Sequence, residues 1–197
     1  MALLPTAYFP SIFYLQSCVG KERIVLEKQE HFLKQTIRSR CEILSANGIL
    51  SLSVPIVHED KKRPIADQRV SYTTKWQIEH WRAIESAYAS SPFFEDYELE
   101  IRNLVFDSEE KLFERNLRQL EFAMEAFGLD FTLTVTSEYE HFPADDCRNL
   151  DFLARKTMRE YQQVFTYDKP FVTNLSFLDL LFNLGPLGRN WLTNLSV

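Results

Sequence analysis

The sequence predicts an α/β fold: a mixed, partly parallel sheet with an N-terminal Asn-Gly hairpin and packed helices, with α+β as the alternative. Three observations predict it. Strand-like runs stand on both sides of a helical middle third, the connections between them are long enough for crossovers, and an Asn-Gly pair separates two alternating runs. The 197 residues show no linker, composition shift or low-complexity tract, so the chain reads as a single domain over residues 1–197.

The elements follow in order. Leu3 to Phe9 is a short apolar run broken by Pro5, Ser11 to Val19 reads as a first helix, and Arg23 to Glu27 as a strand centred on Val25. Cys41 to Ala46 and Ile49 to Val54 flank Asn47-Gly48, the dipeptide that closes a type I′ turn because both positions tolerate positive φ. That turn would pair Ile43 with Leu52, Cys41 with Val54 and Ser45 with Leu50 on a largely apolar face. Glu42 with Ser53 and Leu44 with Ser51 would share the other face. His58 to Pro64 is a charged connection, and Ile65 to Ser71 reads as a returning strand. Thr74-Lys75-Trp76-Gln77 matches a capping box for a helix reaching about Ser90. Ser91-Pro92 restarts a helix with Ser91 as N-cap. Asp107 and Glu110 are placed to cap a third helix. Its Phe113, Leu117, Leu120, Met124 and Phe127 recur at alternating spacings of four and three, and Gly128 ends it. Phe131 to Thr136 alternates strictly as a strand does, and Ser176 begins a last helix, Phe177 to Leu184, closed by Gly185-Pro186. Residues 138 to 170 carry no clear periodicity.

Composition narrows the function by exclusion. Hydrophobic residues at 45% and charged residues at 25% are ordinary globular values. A net charge of −6 disfavours unspecific binding to nucleic acid or anionic lipid, both of which want a basic surface. With 5 Gly and neither G-x-G-x-x-G nor G-x-x-x-x-G-K-[ST], the usual dinucleotide and P-loop sites are ruled out. Three cysteines, odd in number and without C-x-x-C spacing, fit a reduced, cytoplasmic chain. No basic n-region precedes an apolar run and no stretch nears the ~18 apolar residues of a membrane helix, so membrane insertion is not expected.

Several side chains are candidates for chemistry. If 34 to 40 is extended, Lys34, Thr36, Arg38 and Arg40 share a face that could hold a phosphate, with arginine offering bidentate geometry. A solvated outer face explains the same row, and a helical phase through Leu33, Ile37 and Cys41 would disperse it. His80 shares a helix face with Trp76, Ile84 and Tyr88. An imidazole between aromatic rings has the depressed pKa of a general base near neutrality, although a core-edge histidine fits the same pattern. Glu138 follows the alternating strand, where ligands sit if that strand is parallel; the polar start of a loop is the plainer account. Asp179, three residues past Ser176, fits a capping role, and with Asn183 one turn on it makes a polar patch in an apolar helix. The four histidines show no metal-ligand spacing, and Cys41 falls on the apolar face of the hairpin, where a thiol is inert.

In this order the motifs resemble those of the WbqC-like family of bacterial proteins. The residues concerned are Tyr8-Phe9-Pro10, Lys34-Gln35 followed by Arg38 and Arg40, Asn47-Gly48, and Leu52-Ser53-Val54-Pro55. Trp76 to His80, Tyr88 to Phe94, Tyr161 to Phe165 and Asn174 to Pro186 continue the resemblance. Ser39 departs from the Asn that the family tends to carry beside its arginines. The resemblance implies a cytosolic role in clusters that build surface polysaccharide such as O-antigen, with acyl or aminoacyl decoration of amino sugars.

The resulting expectation is a transferase that moves an acyl or aminoacyl group onto an activated amino sugar. Lys34, Arg38 and Arg40 would bind the phosphates, His80 would be the general base, and Glu138, Gln163, Asp179 and Asn183 would act as a further carboxylate and hydroxyl binders. The alternative is a non-catalytic binding or assembly protein of the same pathway, which the absence of a strong catalytic signature supports. The partner expected is a small anionic substrate such as a nucleotide sugar, with no nucleic acid. A homo-oligomer is left open, and the sequence assigns no cofactor and no metal.

Overall fold

The computed structural model describes residues 1–57, 63–165 and 170–194. The charged connection expected at His58 to Pro64 lies largely outside these residues. The fold is α/β. Strand β1 (Ala2–Pro5) leads through helix α1 (Ile12–Cys18) into β2 (Arg23–Glu27), which it pairs in parallel, a βαβ unit. Ser11 caps α1, its Oγ accepting from the Tyr14 amide at 3.3 Å. The sheet gains its third strand, β5 (Thr132–Val135), only after the whole middle of the chain; β5 also runs parallel to β2, so β2 is central in the order β1-β2-β5. The outer edge of β1 is covered by the segment around Asp145, with the Leu3 amide donating to the Asp145 carbonyl and the Cys147 amide to that of Leu3.

Strands β3 (Arg40–Ser45) and β4 (Gly48–Ser53) form a separate antiparallel hairpin. Its turn differs from the expected type I′. Ser45 pairs Gly48, so Ala46 and Asn47 are the turn residues, and at the turn Gly48 alone takes positive φ, at 109°. Cys41 therefore faces Leu52 and Ile43 faces Leu50, two residues from the expected register. A shift of two preserves the faces, so Cys41 and Ile43 remain buried.

Helices α2 (Trp76–Tyr88), α3 (Phe94–Phe106) and α4 (Leu112–Phe127) make up the middle of the chain. The stripes expected for α2 and α4 face the core, but the starts of all three helices differ from those expected. The N-caps are Lys75, Phe93 and Lys111, none with a side-chain capping bond, and the Ser91 hydroxyl is buried instead. Gly128 ends α4 at φ 58°. The strand expected at Ile65 to Ser71 is a 3-10 turn, Ile65–Asp67, followed by isolated bridges from Arg69 and Val70. Helix α5 (Phe177–Leu184) starts at the Ser176 cap as expected and runs through a 3-10 turn into α6 (Gly188–Thr193), which no sequence signal marked. One buried cluster joins β1, β2, the hairpin and all six of these helices.

Helix α4 positions the segments that follow the sheet. Gln119 Oε1 accepts from the Phe9 amide at 2.8 Å and Asn116 Nδ2 donates to the Arg38 carbonyl at 2.8 Å. The first bond, with Ser176 Oγ on the Phe9 carbonyl, holds Phe9 at φ 37°, a conformation a bulky residue adopts only when its surroundings impose it.

Candidate functional site

Parallel strands in an α/β sheet leave a crevice beyond their carboxyl ends, and ligands bind there. Here the central strand ends on Glu27, a fully buried carboxylate. Its Oε1 accepts from the Gln29 amide at 2.8 Å and from Thr136 Oγ1 at 2.7 Å, and its Oε2 accepts from the Glu140 amide and from an Arg148 Nη, each at 3.1 Å. These bonds tie together the segments leaving β2 and β5. Arg148 also grips Asp146, through Nε at 2.9 Å and Nη2 at 2.8 Å, and lies 4.6 Å from the Tyr139 ring centroid. The Asp146 grip pulls the Asp146 carboxyl below its ordinary pKa and raises that of the guanidinium. A second buried pair stands alongside: Arg38 holds Glu30 with both arms of its fork, at 2.6 and 2.5 Å. Burial still leaves the Glu30 carboxyl above its ordinary pKa despite that guanidinium.

Over this base lies a cleft of about 480 Å³, lined by Gln29, Glu30, His31, Tyr139, His141 and Arg148 together with Leu33 and Asn149. An adjoining hollow of about 260 Å³ shares Leu33, Arg148 and Asn149 with it. A further depression of about 230 Å³ shares Gln35 with that hollow and is lined by Lys34, Arg40 and Ser53. The β2–β3 connection, residues 28–39, thus borders all three. It is not extended but folded into turns, with Gln35 at φ 58°.

That turn structure dissolves the expected basic row. Lys34 is exposed and Arg40 reaches Ser53 Oγ at 3.1 Å, so these two do meet in one depression. Arg38 does not join them: it is 3% exposed and its fork is taken by Glu30, an internal carboxylate with a prior claim over any phosphate. His80 lies in the core, between Tyr8 Oη at 2.9 Å and a backbone hydrogen bond to Ser53, with the Trp76 ring 5.0 Å away. Burial lowers its pKa to about 4 and the imidazole is neutral at pH 7, but it borders none of the three hollows, so it has no reacting group to serve there. Glu138 is exposed in the segment after β5, while its neighbours Tyr139 and His141 line the cleft.

Gln163, Asp179 and Asn183 come together elsewhere. The Asp179 carboxylate is buried and accepts from Tyr161 Oη at 2.5 Å, Gln163 Nε2 at 2.8 Å and Tyr88 Oη at 3.1 Å, while Asn183 Nδ2 donates to the Asp179 carbonyl. Instead of closing a capping box, Asp179 pins the returning segment to α2 and α5. Burial raises its pKa to about 6, against the three hydrogen bonds that lower it. Cys41 is 2% exposed and its thiol pKa is pushed up by burial, as expected of packing. Among the described residues no group of His, Cys, Asp and Glu is arranged to hold a metal ion, and no helix is long and apolar enough to cross a membrane.

Sequence reasoning missed Glu27, Glu30, His31, His141 and Arg148. The rule that singled out Glu138, a carboxylate at the carboxyl end of a parallel strand, applies equally to Glu27 at the end of β2. Arg148 carried no local signal, because its partners lie far away in the chain.

Fold and cleft define an α/β protein with its candidate ligand site at the carboxyl edge of a small parallel sheet. The chain belongs to the WbqC-like protein family, whose model matches residues 6–152. That range takes in β2, β5, the hairpin, α1 to α4, Arg148 and the whole lining of the cleft, whereas β1 precedes it and the Asp179 network lies mostly beyond it. No curated protein and no solved structure matches the chain.

Proposed function

We propose that this protein is a cytoplasmic transferase of surface-polysaccharide (O-antigen) biosynthesis that acylates the amine of a nucleotide-linked amino sugar in the cleft beyond β2 and β5. The observation that carries this reading is the polarity of the three hollows along residues 28–39. Beneath the cleft the carboxylates of Glu27 and Glu30 are matched by the guanidiniums of Arg148 and Arg38, which leaves a polar floor facing the imidazoles of His31 and His141, a setting that can receive an amine. The depression at the other end offers Lys34 and Arg40 to phosphates. The family resemblance supplies the sugar and the pathway; the three unpaired cysteines fit the compartment.

In this reading the amine nitrogen attacks the carbonyl carbon of an activated acyl donor. The N–C bond forms, an imidazole at His31 or His141 takes the amine proton, and the bond from the carbonyl carbon to the donor's leaving group breaks, with the proton passing to that group. Arg148, anchored on Asp146 and Glu27, orients the loop carrying His141.

A thermal-shift titration tests it. A nucleotide-linked amino sugar at ~100 times its Kd should stabilise the protein by about 2.7 kcal/mol, and the Lys34→Ala/Arg40→Ala variant should lose that shift. Incubation with an activated acyl donor should add the acyl mass to the sugar, and the His31→Ala/His141→Ala variant should not. No shift in the wild-type protein, or an undiminished shift in the Lys34/Arg40 variant, overturns the proposal. Binding without any acylated product would make the chain a binding protein of the pathway instead.

A further inference from the structure

The base of the cleft is charged, and its rim sets apolar side chains beside the exposed His31, His141 and Asn149. Leu33, Tyr139, Phe142 and Leu150 are 47%, 42%, 93% and 45% exposed and come from three separate segments. Leu33 and Tyr139 line the cleft, Leu150 lines the adjoining hollow with Leu33, and the Phe142 ring centroid lies 6.2 Å from that of His141. Single exposed apolar side chains are ordinary on a protein surface; four set along the cleft, its adjoining hollow and the neighbouring His141 make a patch, and such patches mark binding sites. Phe142 is also not a frayed end. Its amide donates to Glu140 Oε1 at 3.2 Å, and the Glu140 amide is anchored on the buried Glu27 at 3.1 Å, so an ordered backbone holds the ring out into solvent.

We infer that the acyl group handled at this cleft is a hydrocarbon chain of several carbons, which lies across Leu33, Tyr139, Phe142 and Leu150 while the sugar amide sits among Glu30, His31 and His141. This rests on the function proposed above and names its donor class: a medium-chain acyl donor instead of an acetyl or aminoacyl one. An aminoacyl group would find carboxylates for its ammonium at Glu140 and Asp151, but it would leave the four apolar side chains uncovered. An acetyl group carries a single methyl and would leave most of the patch uncovered. A chain of six to eight carbons replaces water over all four side chains, and each buried methylene contributes about 0.8 kcal/mol.

The test is calorimetric titration of the wild-type protein with N-acetyl-, N-hexanoyl- and N-octanoylglucosamine, each linked to uridine diphosphate, repeated on a Leu33→Ser/Phe142→Ser variant. Both substitutions are at exposed positions and leave the buried ion pairs intact. The octanoyl compound should bind at least ~10-fold more tightly than the acetyl compound, the effect of about two buried methylenes. The variant should bind all three alike, at the acetyl affinity. Affinity independent of chain length in the wild type overturns the inference while leaving the sugar-amide reading of the cleft standing. Absence of binding by all three overturns that reading as well. A chain-length preference that survives in the variant places the chain elsewhere and overturns the inference. Co-sedimentation of the wild type, but not the variant, with phosphatidylcholine vesicles would also overturn it, by making the rim a membrane-docking surface.

Discussion

Arg38 shows how much a side chain's partner decides about its role. By residue type and position it belongs with Lys34 and Arg40 as an anion binder, yet its bonds at 2.6 and 2.5 Å to Glu30 make it a buried structural cation. Removing one member of such a pair strands the other charge in a low-dielectric setting and costs about 3–5 kcal/mol. Arg38→Ala should therefore lower the unfolding free energy by that order, seen as a lowered urea midpoint, with Lys34→Ala and Arg40→Ala leaving that free energy within about 0.5 kcal/mol of wild type. An unchanged midpoint for Arg38→Ala would restore it to the anion-binding set. Arg148 belongs to the same buried group, since it joins Glu27 to Asp146 and so fixes the strand end to the segment covering β1.

At the scale of elements, periodicity was legible and termini were not. The apolar stripe of α4 can be read from Phe113, Leu120 and Phe127, and β5 from the alternation over Phe131 to Thr136, because a one-sided apolar pattern is a property of the element itself. Caps and turns depend instead on what the tertiary structure leaves at each end. Ser91 is drawn into the interior before it can cap α3, and Gly48, by taking the positive φ alone, moves the hairpin turn one residue earlier than Asn47-Gly48 implied. The candidate site was half legible for the same reason: Glu138 marked the right edge of the sheet, but the ion pairs beneath the cleft join residues as far apart as 27 and 148. Gly185 offers a test at this scale. It ends α5 at φ 53°, and a Cβ there would meet the Phe93 ring at 2.5 Å. Gly185→Ala should cost more than about 2 kcal/mol, from the positive φ and overpacking together, measurable as a lowered Tm. A Tm within a degree of wild type would mean that the α5–α6 corner repacks freely.

For the molecule as a whole, two buried groups set opposing pH dependences. Asp179, raised to about 6, binds its proton more tightly in the folded chain than in the unfolded one, where a carboxyl titrates near ~3.9. Its contribution is present in acid and lost as the pH rises through about 6. His80, lowered to about 4 from the usual ~6.5, resists protonation when folded, so its contribution is present above about 6.5 and lost as the pH falls towards 4. Each is worth on the order of 3 kcal/mol, and across pH 4 to 6.5 they largely cancel. Urea midpoints over that window should change less in the wild type than in a variant that removes either of the two groups. Asp179→Asn should become less stable with falling pH, and His80→Gln less stable with rising pH. Parallel profiles for all three proteins would sink this account.

The late arrival of β5 has a consequence for how the protein is made. Its partner β2 is complete at Glu27, but β5 begins only at Thr132, so one side of the central strand waits for the residues 28–131 between them to be translated. At about 5–20 residues per second that interval lasts on the order of 5–20 s. Throughout it the nascent βαβ unit presents an open row of backbone donors and acceptors, a template on which a neighbouring nascent chain can misassemble. The short outer strand that leads into one wall of the cleft therefore also ends the period in which the polypeptide most needs a chaperone.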